Sequence, residues 1–196
     1  MLNCQLPPNW RKLKVDDIRA SQKGSIVSGP FGSNIGKKFF VKNGIPLIRG
    51  NNLTLGTKKF VDEGFVYITE KKAYELRNCE ALSDDLVFTA AGTLGQIGLI
   101  PKNAKYPKYI ISNKQLRLRC DTSIALPDYL YYWFSSPQMR EYIFNQNTGS
   151  SIPLITLGIL RSLPVFFLLS PPNAKSPQSS PPTMTLSKTT PAGLRF

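Results

Sequence analysis

Between Asp85 and Gly98 the chain reads DLVFTAAGTLGQIG, an apolar run that breaks at a glycine-rich turn and resumes at once as Gln96-Ile97-Gly98-Leu99-Ile100-Pro101. Gly92, Gly95 and Gly98 recur every third residue. A phosphate-cradling glycine loop runs from a strand into a helix, so that the helix N-terminus meets the phosphate. Here strand-like residues follow the turn, and no Gly-Lys-Ser/Thr does. The spacing predicts a tight turn between two buried strands, with a backbone-rich loop presented to a ligand as the alternative.

A chain of 196 residues is one domain by default, with room for a sizeable core. Its 41% hydrophobic and 11% aromatic content suits a folded protein. No run approaches the roughly 18 apolar residues of a membrane span. Met1-Leu2-Asn3-Cys4-Gln5 lacks the basic and apolar regions of a secretory signal, so a cytoplasmic protein is expected. Cys4, Cys79 and Cys120 are too scattered for a disulfide framework or a C-x-x-C metal site. The sequence contains no histidine, which removes Ser-His-Asp and Cys-His catalysis and nearly all zinc sites.

Charge then narrows the partner. The net charge is +13, and a pI near 9.8 exceeds the value of about 9 that marks a nucleic-acid footprint. All 12 acids precede Tyr142. The alternative is a merely solvated basic surface.

Along the chain, Leu6-Pro7-Pro8-Asn9-Trp10 predicts an extended lead-in, with Trp10 anchoring it to the domain. Lys14 to Ile18 opens a short helix, and Ser25 to Ser28 reads as a strand. Gly29-Pro30-Phe31-Gly32-Ser33-Asn34 is a turn, followed directly by Lys37 and Lys38. Gly44 to Gly50 is a short strand whose end carries Arg49-Gly50-Asn51-Asn52. Arginine forks to guanine O6 and N7 and asparagine bonds adenine N6 and N7, so this strand end is equipped for base edges, unless the asparagines only make the turn. Phe60 to Ile68 is extended, and Thr69 caps a helix through about Arg77. In the second half of Tyr109 to Arg119, Leu116 and Leu118 alternate with Gln115, Arg117 and Arg119, predicting a half-exposed strand. Arg117 and Arg119 then share a face, as do Asn113 and Gln115. Tyr129-Leu130-Tyr131-Tyr132-Trp133-Phe134 is too aromatic to be exposed all round and reads as core rather than as a base-stacking platform. Ser136-Pro137 starts another helix, Thr156 to Arg161 a short one, and Leu163 to Phe166 a last extended piece.

Taken in order, Leu-Pro-x-x-Trp, Gly-Pro-Phe-Gly-Ser, Ile-Pro-Leu-Ile-Arg-Gly-Asn-Asn, Asp-Leu-Val-Phe-Thr-Ala-Ala-Gly-Thr-Leu-Gly, Ile-Ser-Asn-Lys and Gly-Ser-Ser-Ile-Pro-Leu-Ile resemble the target recognition domain of type I restriction–modification specificity subunits. Each motif alone is weak; their order over Leu6 to Phe166 is specific. The resemblance implies a mixed α/β (α+β) fold, with a twisted mixed or antiparallel sheet and a few short helices over residues 1–166. It implies sequence-specific binding of double-stranded DNA in phage defence, without catalysis in this chain. S-adenosylmethionine, ATP and Mg2+ belong by the same analogy to partner modification (methyltransferase) and restriction subunits, and self-association of half-subunits is open. Lys37, Lys38, Lys58 and Lys59 are expected to neutralise phosphates, and Arg49, Asn51, Asn52, Asn113, Lys114 and Gln115 to meet base edges. Thr89, Thr93 and Gln96 are polar groups available to a DNA backbone if the glycine-rich turn faces DNA; the alternative is a turn that only closes the core.

Two competing classes remain at this level. Asp62 followed by Glu70-Lys71-Lys72 matches the D…E-x-K spacing of metal-dependent nucleases, with Asp62, Glu70 and Lys72 as its members, although a lysine-rich chain gives such matches by chance. A basic module binding an acidic protein is the other. Residues 167–196 depart from the resemblance: they are rich in Pro, Ser and Thr, without acids or periodicity, and read as an irregular, disordered tail on a C-terminally truncated single domain. A one-base shift of Asn173 to Ser180 permits Glu-Arg-Lys-Ile-Ala-Ala-Ile-Leu, so the tail also reads as the frameshifted remnant of a spacer helix.

Overall fold

The segment from Asp85 to Pro101 folds as strand, turn and strand, and the chain builds on both of its faces. A computed structural model describes residues 10–55, 58–147 and 153–168. In chain order its regular elements are β1 (Trp10–Lys14), β2 (Ile26–Ser28), β3 (Phe40–Val41), β4 (Ile45–Ile48), β5 (Val66–Ile68), α1 (Glu70–Glu75), β6 (Glu80–Ala81), β7 (Leu86–Thr89), β8 (Ile97–Leu99), β9 (Tyr109–Ile111), β10 (Gln115–Leu118), α2 (Pro127–Ser135), α3 (Pro137–Asn145), α4 (Leu157–Ser162) and β11 (Pro164–Leu168).

The strands form a four-stranded sheet in the order β2-β10-β7-β8, a five-stranded sheet in the order β3-β5-β4-β9-β6, and a β1-β11 ribbon. The four-stranded sheet is antiparallel, with Leu86 opposite both Leu99 and Leu118. The five-stranded sheet is mixed, because β4 and β9 run parallel. Mixed α+β architecture is therefore as expected, but divided among three sheets instead of gathered in one.

Alternation explains why the central strands read as unbroken apolar runs. Leu86, Phe88, Leu116, Leu118, Ile97 and Leu99 face a core shared with Leu130 and Phe134 of α2, Met139 and Ile143 of α3, and Leu160 of α4. Val87 and Val27 face the opposite way, into a second core with Leu47, Ile48, Ile110 and Ile111 of the five-stranded sheet. The layers are thus helices, four strands and five strands. Each fully buried aliphatic or Phe side chain contributes about 1.5–3 kcal/mol. Gly98 belongs to this arrangement: a Cβ there would stand 2.7 Å from Leu53 Cδ2 and 3.2 Å from Phe60 Cδ2. Its missing side chain lets the 53–60 segment close over β8.

Local signals hold at the helix starts. The hydroxyls of Thr69, Ser136 and Thr156 accept from the backbone N–H of Lys72, Met139 and Ile159. The aromatic run of α2 buries Leu130, Tyr131 and Phe134 and leaves Tyr132 62% exposed.

β9 and β10 lie in different sheets, joined by a turn at 112–114. Three expectations are corrected. β10 is buried along its whole length because both of its faces are covered, so Arg117 is 3% exposed and not on a solvated face. Trp10 stands on the ribbon, 38% exposed, and is no deep anchor. The strand at the C-terminal side runs through Leu168, two residues past the expected boundary at 166. The Pro/Ser/Thr-rich tail, with its frameshift reading, lies outside the described residues from 169 onward, as do Leu6 to Asn9.

Arg117 is buried together with a carboxylate. Asp85, 1% exposed, accepts from Arg119 Nε at 2.8 Å and Nη2 at 2.7 Å, and from the Leu82 backbone at 2.8 Å. Arg117 Nε stands 3.8 Å from it, while Arg117 Nη2 donates to the Gly24 carbonyl at 2.6 Å. Hydrogen bonding to Asp85 raises the Arg119 pKa; burial lowers that of Arg117.

Candidate nucleic-acid interface

The motif loops meet at one end of the two main sheets. β4 and β9 run parallel and finish together, the Ser112 N–H donating to the Ile48 carbonyl at 2.9 Å. Arg49 and Ser112 are therefore set side by side. β2 ends there too: the Gly29 N–H donates to the Gln115 carbonyl at 2.9 Å. The Gly29 backbone lies so close to the 112–114 turn that a Cβ would be 1.8 Å from the Ser112 oxygen. Only glycine permits that approach.

The β7–β8 turn closes the same end. Ala90 N–H donates to the Lys114 carbonyl at 2.8 Å, and Gly92 N–H to the Pro153 carbonyl at 3.0 Å. Gly92 and Gly95 hold φ of +104° and +86°, which explains their spacing as turn chemistry. Gln96 braces the turn: its Oε1 accepts from Thr89 Oγ1 at 3.3 Å and its Nε2 donates to the Leu53 carbonyl at 3.5 Å. The aliphatic part of Arg140 lies 3.4–3.6 Å from a Cβ built on Gly95, and Arg140 Nη1 donates to the Leu55 carbonyl at 2.7 Å. Loops 29–34, 49–55, 90–96, 112–114 and 153–155 thus form one continuous surface.

The twelve sequence-derived residues divide by environment. Arg49, Asn51, Thr93, Asn113 and Lys114 gather on this surface; all but the half-buried Arg49 are exposed. Among the described residues Arg49 and Lys114 make no ion pair. Gln96 is at the same end but is committed to bracing. Asn52 and Gln115 do not face a ligand. Asn52 is 0% exposed; its amide donates to the carbonyls of Val61 at 3.0 Å and Glu63 at 2.9 Å and accepts from Arg49 N–H at 3.0 Å. Gln115 is 1% exposed and accepts from the Ser112 hydroxyl. Both are corrected from base readers to supports, because their polar groups are spent inside the fold.

The lysines lie elsewhere. Lys37 and Lys38 are exposed beside β3 and α1; Lys38 Nζ and Lys72 Nζ sit 5.0 and 4.1 Å from the Phe39 ring centre. Lys58 is exposed near α2, its carbonyl accepting from the Tyr131 hydroxyl at 2.9 Å. Lys59 is already neutralised by Asp128 and lies over Tyr132; the hydrogen bond to Asp128 raises its pKa.

Sequence reasoning missed Phe31. It is 87% exposed at the tip of the 29–34 loop, and a Cβ on the neighbouring Gly32 would lie 3.3 Å from Asn113 Nδ2. The signal was an aromatic residue between glycines and proline, where no periodicity buries it. The nuclease scatter is not assembled: Asp62 accepts from the Tyr109 hydroxyl and the Lys105 N–H, each at 2.6 Å. Glu70 pairs with Lys108 at 3.3 Å, and Lys72 with Glu75 at 2.9 Å. Among the described residues no three His, Cys, Asp or Glu side chains are grouped to hold a metal, and no helix is long and apolar enough to cross a membrane.

The fold is shared with solved chains of type I restriction–modification systems. One is a chain of a type I R-M system whose complex assembly and conformational transition have been described (TM-score 0.57, 15% identity, 84% of this chain and 35% of that one). Others are the type I restriction–modification S subunit of M. genitalium (0.51, 15%, 85% and 36%) and the HsdS subunit of Thermoanaerobacter tengcongensis (0.53, 15%, 85% and 35%). The sequence is 27% identical over 157 residues to the type I restriction enzyme EcoKI specificity subunit of Escherichia coli K12, covering 74% of this chain and 31% of that protein. No family model matches. The chain thus shares its fold with chains of type I restriction–modification systems and is similar in sequence to one specificity subunit, and it spans about a third of the length of the relatives it matches.

Proposed function

We propose that this chain reads a double-stranded DNA sequence and directs partner methyltransferase and restriction subunits to it. The observation that carries the reading is the convergence of Arg49, Asn51, Asn113 and Lys114, together with Phe31, on one loop-built end of a basic domain. Arg49 supplies a guanidinium fork for a guanine edge, Asn51 and Asn113 supply amides, and Lys114 a cation for base or phosphate. Lys37 and Lys38, beside β3 and α1, and Lys58, near α2, neutralise backbone phosphates without sequence preference. Methylation and cleavage, with their S-adenosylmethionine, ATP and Mg2+, are assigned to the partners, and this chain acts by binding alone.

Selection from a randomised duplex pool, followed by anisotropy titrations across salt concentrations, tests the proposal. A single preferred sequence with steep salt dependence is expected. Arg49→Ala should relax selectivity at one base pair at a cost of about 1–3 kcal/mol. Lys37→Ala and Lys38→Ala should weaken all sequences alike, each flattening the salt slope by about one unit. Equal binding of all duplexes by the unaltered protein would end the proposal.

Phe31 gives a separate prediction. An aromatic ring held out at the reading surface suits insertion against a base step. Phe31→Ala should weaken specific binding by about 1–3 kcal/mol while leaving the thermal midpoint unchanged, since the ring covers nothing in the free protein. A lowered midpoint with unchanged binding would reverse that assignment.

A further inference from the structure

The two main sheets part at one side, between edge strand β2 of the four-stranded sheet and edge strand β6 of the five-stranded sheet. The gap is a cleft of about 490 Å³ lined by Lys23, Gly24, Val27, Arg77, Asn78, Glu80, Arg117 and Arg119. Four cations face one carboxylate, Glu80. The cleft lies toward the end of β10 opposite Gln115 and contains none of the reading residues.

We propose that this cleft is a binding site for a phosphate group. Arg117 forms its floor, 97% buried by complement of its 3% exposure. Its two Nη atoms are held by the Gly24 and Ser25 carbonyls at 2.6 and 3.4 Å. Its Nε has no hydrogen-bond partner; the nearest carboxylate oxygen, Asp85 Oδ2, is 3.8 Å away and is already bonded to Arg119 Nη2 at 2.7 Å. A guanidinium buried without a full charge partner is costly, and an oxyanion held in the cleft by the exposed cations offsets its charge through space.

The other cations have spare capacity. Arg119 gives Nε and Nη2 to Asp85, which leaves Nη1. Arg77 donates through Nη1 to the Tyr74 carbonyl at 3.2 Å and stacks 4.9 Å from the Tyr74 ring, so its other amino group is available. Among the described residues Lys23 makes no ion pair. These donors come from the 20–25 loop, β10, and the turn after α1. A carboxylate has too few oxygens to satisfy all of them, whereas a phosphate presents oxygens on every side and matches the excess positive charge.

Calorimetric titration of the full chain with inorganic phosphate, against chloride at equal ionic strength, tests the assignment. A saturable single-site isotherm is expected, weakened by roughly tenfold or more in Lys23→Ala/Arg77→Ala. Both side chains are exposed, so the double variant should melt with the unaltered protein. The same double variant titrated with duplex DNA identifies the source. If a DNA phosphate fills the cleft, DNA affinity falls, the salt slope flattens by about one unit, and inorganic phosphate competes with DNA. If free phosphate or a phosphorylated small molecule fills it, DNA binding is unchanged while phosphate binding is lost. No isotherm above the chloride control, or one equally strong in the double variant, overturns the proposal whether or not the chain reads DNA.

Discussion

Asp85→Ala is expected to destabilise the domain by about 3–5 kcal/mol, the loss that follows when one partner of a buried ion pair is removed. The carboxylate is 1% exposed and neutralises a pair of guanidiniums on β10 and just beyond it, one of them 3% exposed. It also accepts the Leu82 N–H that starts the turn into β7. Without it, Arg119 can swing toward water, but Arg117 is pinned by backbone carbonyls and stays buried and uncompensated. That is a large share of a total stability of about 5–15 kcal/mol, and for a domain of this size it lowers the thermal midpoint by about 6–20 °C. Urea unfolding followed by circular dichroism reads the effect. Asp85→Asn, which keeps an acceptor for Leu82 but no charge, should fall between. A loss below about 1 kcal/mol in Asp85→Ala would show that the arginines find other neutralisation and that this centre does not tie β7 to β10.

Asn52→Ala should be nearly as damaging, for a different reason. One amide, on a residue that is itself 0% exposed, satisfies the Val61 and Glu63 carbonyls and the Arg49 N–H at 2.9–3.0 Å. Each buried group left unsatisfied costs about 1–3 kcal/mol, so a loss of about 3 kcal/mol or more is expected. For a domain of this size that lowers the thermal midpoint by about 6 °C or more. Arg49 and Asn51 lose their register at the same time, so affinity should fall for every DNA sequence alike. A base-reading Asn52 would behave in the opposite manner, with an unchanged melt and one relaxed base position. The pair of measurements separates the two roles.

The same residue shows where sequence reasoning stops. Arg49-Gly50-Asn51-Asn52 is legible as a polar strand end, but which asparagine faces outward depends on the 61–63 segment arriving from elsewhere in the chain, and no local pattern encodes that. Gln115 fails for a related reason: alternation along β10 is a true period-2 signal, yet both faces are covered, so the polar set is buried with the apolar one. Caps and turns were legible because their causes are local, as with Thr69, Ser136 and the glycines at 92 and 95. The division of strands among sheets was not, since β4 meets β9 across more than sixty residues of chain. The loop-built surface was visible as a list of loops, and its unity only from the parallel ending of β4 and β9.

The ribbon of β1 and β11 carries a consequence of another kind. Trp10 lies opposite Leu168 and Lys14 opposite Pro164, so the polypeptide arrives and departs as neighbouring antiparallel strands. A unit attached in this way is joined to its surroundings at a single stem. It can be spliced between two segments of a host protein without separating them by more than a strand spacing, about 4.7–4.9 Å. Pulling on the two ends would therefore load the ribbon first, peeling β1 from β11 before either main sheet is strained.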